Sequence, residues 1–344
     1  MICAVIQTSF LGDMILTTPL IERLSREGEV HVVATPVNAA LLANHPAVTS
    51  VIVYDKRKTD SGLGGLRRVA ARLRATGATT AYMAQGSWRT AALARLAGVH
   101  SVGFNRSAGR WLYSRRVEYR TDWHHAQRLW ALANAPHDAE PAEPEARRPS
   151  LYPGADDNAR VTALLEAAGI GAGEALIAMA PGSVWATKRW PSYDALAGEL
   201  TARLPHSRIV VLGASGDAPL AAAISVAVHR RGGPPVVDAT GKLSLLGSAA
   251  LLSRCAVLVT NDSAPLHLAS AMNTPTIALF GPTVPSMGFG PLADQRVTLG
   301  RDELTCRPCS AHGGQACPLG HWRCMRDLRA HAVGEAMARM SRPS

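Results

Sequence analysis

The sequence predicts an α/β protein made of two Rossmann-like domains, each built on a parallel sheet. Three observations carry this. Short β-branched runs alternate with helix-compatible stretches over residues 2–84, and the same alternation restarts at 157. Between them lies APHDAEPAEPEARRPS (135–150), rich in Pro and Glu and without apolar periodicity, which reads as a connector. The expected domains are therefore 1–150 and 151–344.

In the first domain, ICAVIQT (2–8), VHVVA (30–34), VTSVIVY (48–54) and TTAYMA (79–84) read as strands, apolar throughout because helices cover both faces of a parallel sheet. Helices are expected over 14–26, 36–44 and 63–76, with Pro19 and Pro36 near their starts, and over 124–133. The second domain reads as helix 157–168, strand 175–180, helix 193–203, strand 208–212 and helix 217–230. It continues with strand 236–238, helix 243–253, strand 255–260, helix 265–272 and strand 275–280. An amphipathic helix over 326–340 ends the chain and is free to pack back on the N-terminal domain.

Composition excludes several classes. With 344 residues, 47% hydrophobic and 18% charged, the chain has material for packed cores and is not a disordered one. No apolar run reaches the roughly 20 residues of a membrane span. The stretch MICAVIQTSFLGD lacks a basic segment followed by a long apolar one, so a cytoplasmic protein is expected. The formal net charge of +10 is concentrated: residues 56–128 hold fifteen Lys/Arg against Asp60, Glu118 and Asp122, a local +12 that leaves the rest at −2. Such a block suits an anionic partner. Aromatic residues are only 5% and do not interleave with the basic ones, so a nucleic acid is not the expected partner. Neither half carries G-x-G-x-x-G after its first strand or a Walker A sequence, which counts against a dehydrogenase and a P-loop NTPase. Two Rossmann-like domains facing across a cleft, without either fingerprint, point to a GT-B glycosyltransferase or a related sugar-nucleotide epimerase.

Three segments carry chemistry. In TNDSAPLHLASAMNTPTIALFGPT (260–283) a strand ends at Asn261-Asp262-Ser263 and a helix opens at once, with Pro265 in its first turn. The backbone N–H groups of Ser263 and Ala264 would form an anion site fit for a diphosphate. Asp262 could accept sugar hydroxyls there, and His267 lies one turn further on; an ordinary N-cap and a helix-surface histidine are the plainer alternatives. In QTSFLGDMILTTPLI (7–21), Gly12 permits a tight path and Asp13 reaches a helix N-terminus, where a carboxylate can serve as general base or simply as a cap. In APGSVWATKRWP (180–191) a strand hands over to a loop exposing Lys188, one of four lysines in the chain. Its ammonium could neutralise a leaving diphosphate. Asp217, after GASG, is suited equally to a ribose contact and to capping.

These segments, with QGSWRTAALARLAGVHSVGF (85–104) and CRPCSAHGGQACPLGHWRCMRDL (306–328), resemble in order and spacing the motifs of glycosyltransferase family nine, the ADP-heptose:lipopolysaccharide heptosyltransferases, in their heptosyltransferase-II-like branch. The resemblance implies a GT-B fold and inverting transfer of heptose from ADP-heptose to an anionic acceptor, the lipopolysaccharide inner core. It implies Asp13 as catalytic base and Lys188 as counter-charge to the leaving group, with no cofactor required. Ser183, Thr187, Lys188, Asp217, Asp262, Ser263, Ala264 and His267 would bind the donor. The basic block would then meet the phosphates and carboxylates of the acceptor and hold the enzyme at the inner face of the cytoplasmic membrane, at roughly 1 kcal/mol per well-placed cation. Two departures stand out: Ala264 where the family often has Gly, and Tyr82-Met83-Ala84 where an acidic residue often precedes Gln-Gly.

Cys306, Cys309, Cys317 and Cys324 follow C-x-x-C-x7-C-x6-C, with His312 and His321 between them. Four thiolates so close could hold a structural Zn or Fe, or could simply pack a loop as reduced thiols. Outside the leading reading stand a protein or small-molecule acceptor, a binding protein on the same fold, and a basic Zn-containing nucleic-acid-binding protein.

Overall fold

The computed structural model describes residues 1–134, 144–171 and 173–340; most of the expected connector lies outside them. The chain divides into Met1–Tyr152 and Pro153–Ser344. In the first unit β1 (Ile2–Gln7), α1 (Leu11–Ser25), β2 (Glu29–Ala34), α2 (Pro36–Leu41), β3 (Ser50–Val53) and α3 (Gly62–Ala75) follow one another. Then come β4 (Thr80–Tyr82), α4 (Trp88–Ala97), β5 (His100–Phe104), β6 (Arg115–Val117) and α5 (His125–Ala131). The second unit runs α6 (Ala155–Ala167), β7 (Ala175–Ala180), α7 (Tyr193–Arg203), β8 (Ser207–Val211), α8 (Ala218–Arg230) and β9 (Val237–Asp238). It continues with α9 (Leu245–Leu252), β10 (Val257–Asn261), α10 (Ala264–Ala271), β11 (Thr276–Phe280), β12 (Arg296–Gly300), α11 (Arg323–Arg326) and α12 (Ala330–Met340).

Each unit has one six-stranded sheet, parallel throughout: β3-β2-β1-β4-β5-β6 and β12-β11-β10-β7-β8-β9. Counted from its own first strand, each has the Rossmann order 3-2-1-4-5-6. Its switch point therefore lies between β1 and β4 in one unit and between β7 and β10 in the other. The α/β class and both sheets agree with the sequence reading. Three strands escaped it. β6 and β12 are edge strands with partly exposed patterns, so nothing forces them to be continuously apolar. In β5 the apolar run is broken by Gly103, which is required because a Cβ there would fall 2.4 Å from the Tyr113 ring.

The first helix starts earlier than expected, which moves Pro19 from its start into its middle. The ring removes the N–H that would bond the Ile15 carbonyl, and the Thr18 hydroxyl donates to that carbonyl instead, at 2.9 Å. Val333, Ala336 and Met337 of α12 join the core of their own unit beside Leu196, Leu200 and Ile277.

His45 is a buried titratable group of the first unit. Its side chain is fully buried, edge-on to Tyr152, and its Nδ1 accepts the Ala47 N–H. Burial pushes it down to about 4, although Glu22 Oε1 lies 3.8 Å from its Nε2. The unfolded chain therefore takes up a proton that the folded one refuses, and stability falls as pH drops from about 6.5 towards 4. His45→Gln should remove about 1–2 kcal/mol of the loss between pH 6.5 and 5, measured by denaturant unfolding at both values.

Candidate active site

The switch point of the first sheet is occupied by the loop between β1 and α1. Gln7, wholly buried, organises it: its Nε2 donates to Thr17 Oγ1 and the Ala84 carbonyl, and its Oε1 accepts the Ser9 N–H. Thr8 donates to Gln85 Oε1 at 2.6 Å, Lys56 Nζ to the Thr8 carbonyl at 2.8 Å, and Asn38 to the Ser9 carbonyl. The loop is thus tied to the carboxyl ends of β1, β2, β3 and β4. It delivers Asp13 to the first turn of α1, where the helix dipole favours a carboxylate. The Asp13 side chain keeps 21% of its exposure, and His125 Nε2 lies 3.8 Å from its Oδ1.

Beside this loop is a cavity of about 620 Å³ whose lining includes Thr8, Asn38, Lys56, Arg57, Lys58 and Gln85. Burial, followed by the charges of Arg57 and Arg89, lowers the pKa of Lys56. Cations gathered around a cavity are relieved by an anion.

In the second unit the loops after β7 and β10 meet at the other switch point. Lys188 Nζ lies 2.6 Å from Asp262 Oδ2, with both side chains about nine-tenths buried, and Thr283 donates to the same oxygen at 2.6 Å. Asn261 braces the two loops: its Nδ2 donates to the Pro181 carbonyl, while its Oδ1 accepts the Trp190 N–H and the Tyr193 hydroxyl. Ser263 is the N-cap of α10 and Ala264 its first residue. Among the described residues, no protein acceptor takes the N–H of either. Ala264 has helical backbone, so the departure from Gly costs nothing here.

The other expected donor residues are placed as follows. The Ser183 hydroxyl accepts the Trp185 N–H, and its carbonyl accepts Arg189 Nε. The Asp217 carboxylate accepts the Ala214 N–H of its own turn and presses on Gly182, where a Cβ would fall 2.4 Å from Oδ2. It thus borders the β7 loop and caps locally. His267 is buried on α10, its ring 6.5 Å from that of Phe289. The Thr187 hydroxyl is committed elsewhere, donating to the Gly314 carbonyl at 2.9 Å and accepting the Gly314 N–H at 2.8 Å. Its partner belongs to the cysteine segment, which is strapped across the Lys188 loop. Gln315 donates to the Val184 carbonyl, and Gly313 lies so close that a Cβ would fall 3.1 Å from Thr187 Oγ1 and 3.3 Å from Lys188 Cε. At the strap's start, Arg307 donates to the Phe280, Gly281 and Thr283 carbonyls.

Cys309, Cys317 and Cys324 line one cavity of about 100 Å³ beneath this strap, and Cys306 Sγ is 4.0 Å from His321 Nε2. Burial raises the Cys324 and Cys309 thiols. For Cys317 burial also raises, but the backbone N–H groups of Trp322, Leu319, His321 and Gly320 outweigh it and lower the thiol. Among the described residues, no three His, Cys, Asp or Glu side chains are arranged as a ligand set.

Sequence reasoning missed Thr283, Asn261 as a brace, Gln7 and His125. The first three lie inside the motifs quoted above, but their partners, like that of Asp13, are set only by tertiary contact.

Two parallel Rossmann-order sheets, with a buried ammonium–carboxylate pair at a switch point, place the molecule among GT-B-type α/β proteins. The sequence model of glycosyltransferase family 9 (heptosyltransferase) matches residues 66–321, about three-quarters of the chain. The chain belongs to that family. The loop carrying Asp13 lies ahead of the matched span. The chain is 29% identical over 326 residues to lipopolysaccharide heptosyltransferase 1 of Pseudomonas aeruginosa, covering 88% of this chain and 84% of that one. A shorter match, 36% over 89 residues, spans 26% of this chain and only 27% of lipooligosaccharide heptosyltransferase 2 of Campylobacter jejuni. In fold it is similar to ADP-heptose lipopolysaccharide heptosyltransferase II of E. coli, with TM-score 0.79, 24% identity, and 99% and 98% of the two chains covered. It is also similar in fold to the iron-containing dodecameric glycosyltransferase TibC of enterotoxigenic E. coli, with TM-score 0.58, 16% identity, and 98% and 75% covered.

The buried pair generates a prediction. Removing either partner leaves an uncompensated charge, so Lys188→Ala and Asp262→Ala should each cost about 3 kcal/mol of stability. The double variant should cost less than the sum by about 2 kcal/mol, measured as a double-mutant cycle in urea.

Proposed function

We propose that the protein is an inverting glycosyltransferase that moves heptose from ADP-heptose to a hydroxyl of an anionic acceptor, the inner core of lipopolysaccharide, working from the cytoplasm. The observation that carries this is the placing of opposite charges at the two switch points. A carboxylate stands in the first turn of α1 beside a cation-lined cavity, and an ammonium stands at the loops joining β7 and β10 to their helices. An E. coli heptosyltransferase of similar fold holds ADP, which supports ADP as the nucleotide here.

The acceptor hydroxyl attacks the anomeric carbon from the face opposite the diphosphate. As the new C–O bond forms, the bond from that carbon to the diphosphate oxygen breaks, and Asp13 takes the hydroxyl proton. Charge then develops on the diphosphate. Lys188, kept in place by Asp262 and Thr283, and the N–H groups of Ser263 and Ala264 stabilise it. Asp262 acts through Lys188 and is a positioning residue. His125, beside Asp13, orients the base. Lys56, Arg57 and Lys58 receive the acceptor's phosphates or carboxylates.

Asp13→Asn should leave the fold and ADP affinity intact and lower kcat by about 10²–10⁴. Near wild-type turnover with ADP-heptose and a core-oligosaccharide acceptor would remove Asp13 from the reaction.

The cysteine segment is proposed to fasten the donor loop, and its four thiols to hold Zn or Fe as a structural ion. The gathering of three thiols on one cavity, and the N–H groups that stabilise a Cys317 thiolate, support this. The thiols as placed do not close into a coordination set, and the transfer described above runs through none of them. Elemental analysis should find about one ion per chain, and Cys309→Ser or Cys317→Ser should lower metal content and stability together. Metal-free protein with four titratable thiols and unchanged variants would leave the segment a purely packed strap.

A further inference from the structure

We propose that Thr17 and Gln7 are positioning residues for Asp13, setting the place of its carboxylate through its own backbone carbonyl. The inference deepens the proposed function and rests on Asp13 as the base.

The start of α1 calls for such a fastening. A helix start is commonly fixed by a side chain that accepts an N–H of the first turn. Thr35, Ser87 and Ser244 do this for α2, α4 and α9. The N-cap of α1 is Phe10, whose side chain makes no such bond. Further along, Pro19 lies inside the helix and has no N–H, so the backbone bond to the Ile15 carbonyl is missing. Thr18 repairs that break by donating to the same carbonyl at 2.9 Å, a bond that stays within the helix. The stretch 11–18, with Asp13 in its first turn, is thus uncapped in front and interrupted behind.

Thr17 ties this stretch to the sheet. Its hydroxyl donates to the Asp13 carbonyl at 2.6 Å, and its oxygen accepts Gln7 Nε2 at 3.2 Å. A hydroxyl has one proton, and this one is given to Asp13, so the amide of Gln7 must present its N–H to Thr17 and not its oxygen. The same orientation is fixed again by the other partners of the amide. Oε1 accepts the Ser9 N–H at 3.1 Å, and Nε2 also donates to the Ala84 carbonyl at 3.4 Å. Gln7 and Thr17 are both wholly buried, so water does not compete for these bonds. A relay therefore runs from the carboxyl ends of β1 and β4 to the backbone of the residue whose carboxylate takes the proton. It touches no reacting atom. Its effect is geometric, because a general base must stand within ~3 Å of the proton it takes, in an orientation that a loose turn does not keep.

Thr17→Val keeps the shape and removes the hydroxyl, while Gln7 Nε2 retains the Ala84 carbonyl. With ADP-heptose and a core-oligosaccharide acceptor, this variant should lower kcat about tenfold or more at unchanged ADP affinity. Thr17→Ser, which restores the hydroxyl, should recover most of the loss. Gln7→Met breaks the relay from its other end and should lower kcat in the same way. The deciding readout is a cycle with Asp13→Asn. In that background Thr17→Val should slow turnover no further, because the group that Thr17 positions is already lost. A loosened fold would instead slow both backgrounds by the same factor. Unchanged kcat in Thr17→Val or Gln7→Met, or an equal fractional loss with and without the Asp13 carboxylate, would overturn the inference and leave Asp13 as the base. Wild-type turnover in Asp13→Asn would remove the base and the inference together.

Discussion

The second unit is organised around one buried ion pair, Lys188 with Asp262, and the rest of the site makes sense as what that pair requires. Taking an ammonium and a carboxylate out of water is costly, and their attraction offsets the cost only when further hydrogen bonds complete the arrangement. Thr283 supplies one to the carboxylate. Asn261, on the strand end beside Asp262, fixes the distance between the two loops by bonding the Pro181 carbonyl, the Trp190 N–H and the Tyr193 hydroxyl. An ammonium so held is aimed before any ligand arrives. It retains donors beyond the one given to Asp262, because a lysine ammonium has three.

The strap of residues 306–324 serves the same pair from above. Gly314 pairs with both the backbone and the hydroxyl of Thr187, the neighbour of Lys188, and Arg307 grips three carbonyls next to Thr283. Both ends of the ion pair are therefore backed by one segment. This gives the cysteine-rich stretch a role in setting the Lys188 loop that does not depend on what its thiols bind.

Much of this was legible in the sequence, and the limits are physical. Interior strands such as β1, β7, β10 and β11 are buried on both faces and announce themselves as apolar runs. The edge strands β6 and β12 do not, and Pro19 disguised the true start of α1 because Thr18 supplies the missing bond from a side chain. At the site, chain order alone put Lys188 and Asp262 on strand-to-helix loops and Asp13 at a helix start. It could not show that Lys188 and Asp262 pair, since they are 74 residues apart, nor that Thr187 faces Gly314 across 127 residues. Those are tertiary facts: the Thr187 hydroxyl bonds Gly314, and Asp262 bonds Lys188.

The central claim is that the buried ammonium exists to receive a diphosphate. It is tested most directly by titration calorimetry of ADP and of adenosine against the wild type and the Lys188→Met/Asp262→Asn double variant. That variant keeps the net charge and leaves neither partner as an orphan. ADP affinity should fall about tenfold or more while adenosine affinity stays the same, as expected when a charge-assisted contact to phosphate is removed. Unchanged ADP affinity, or an equal loss for both ligands, would show that the pair only holds the fold together.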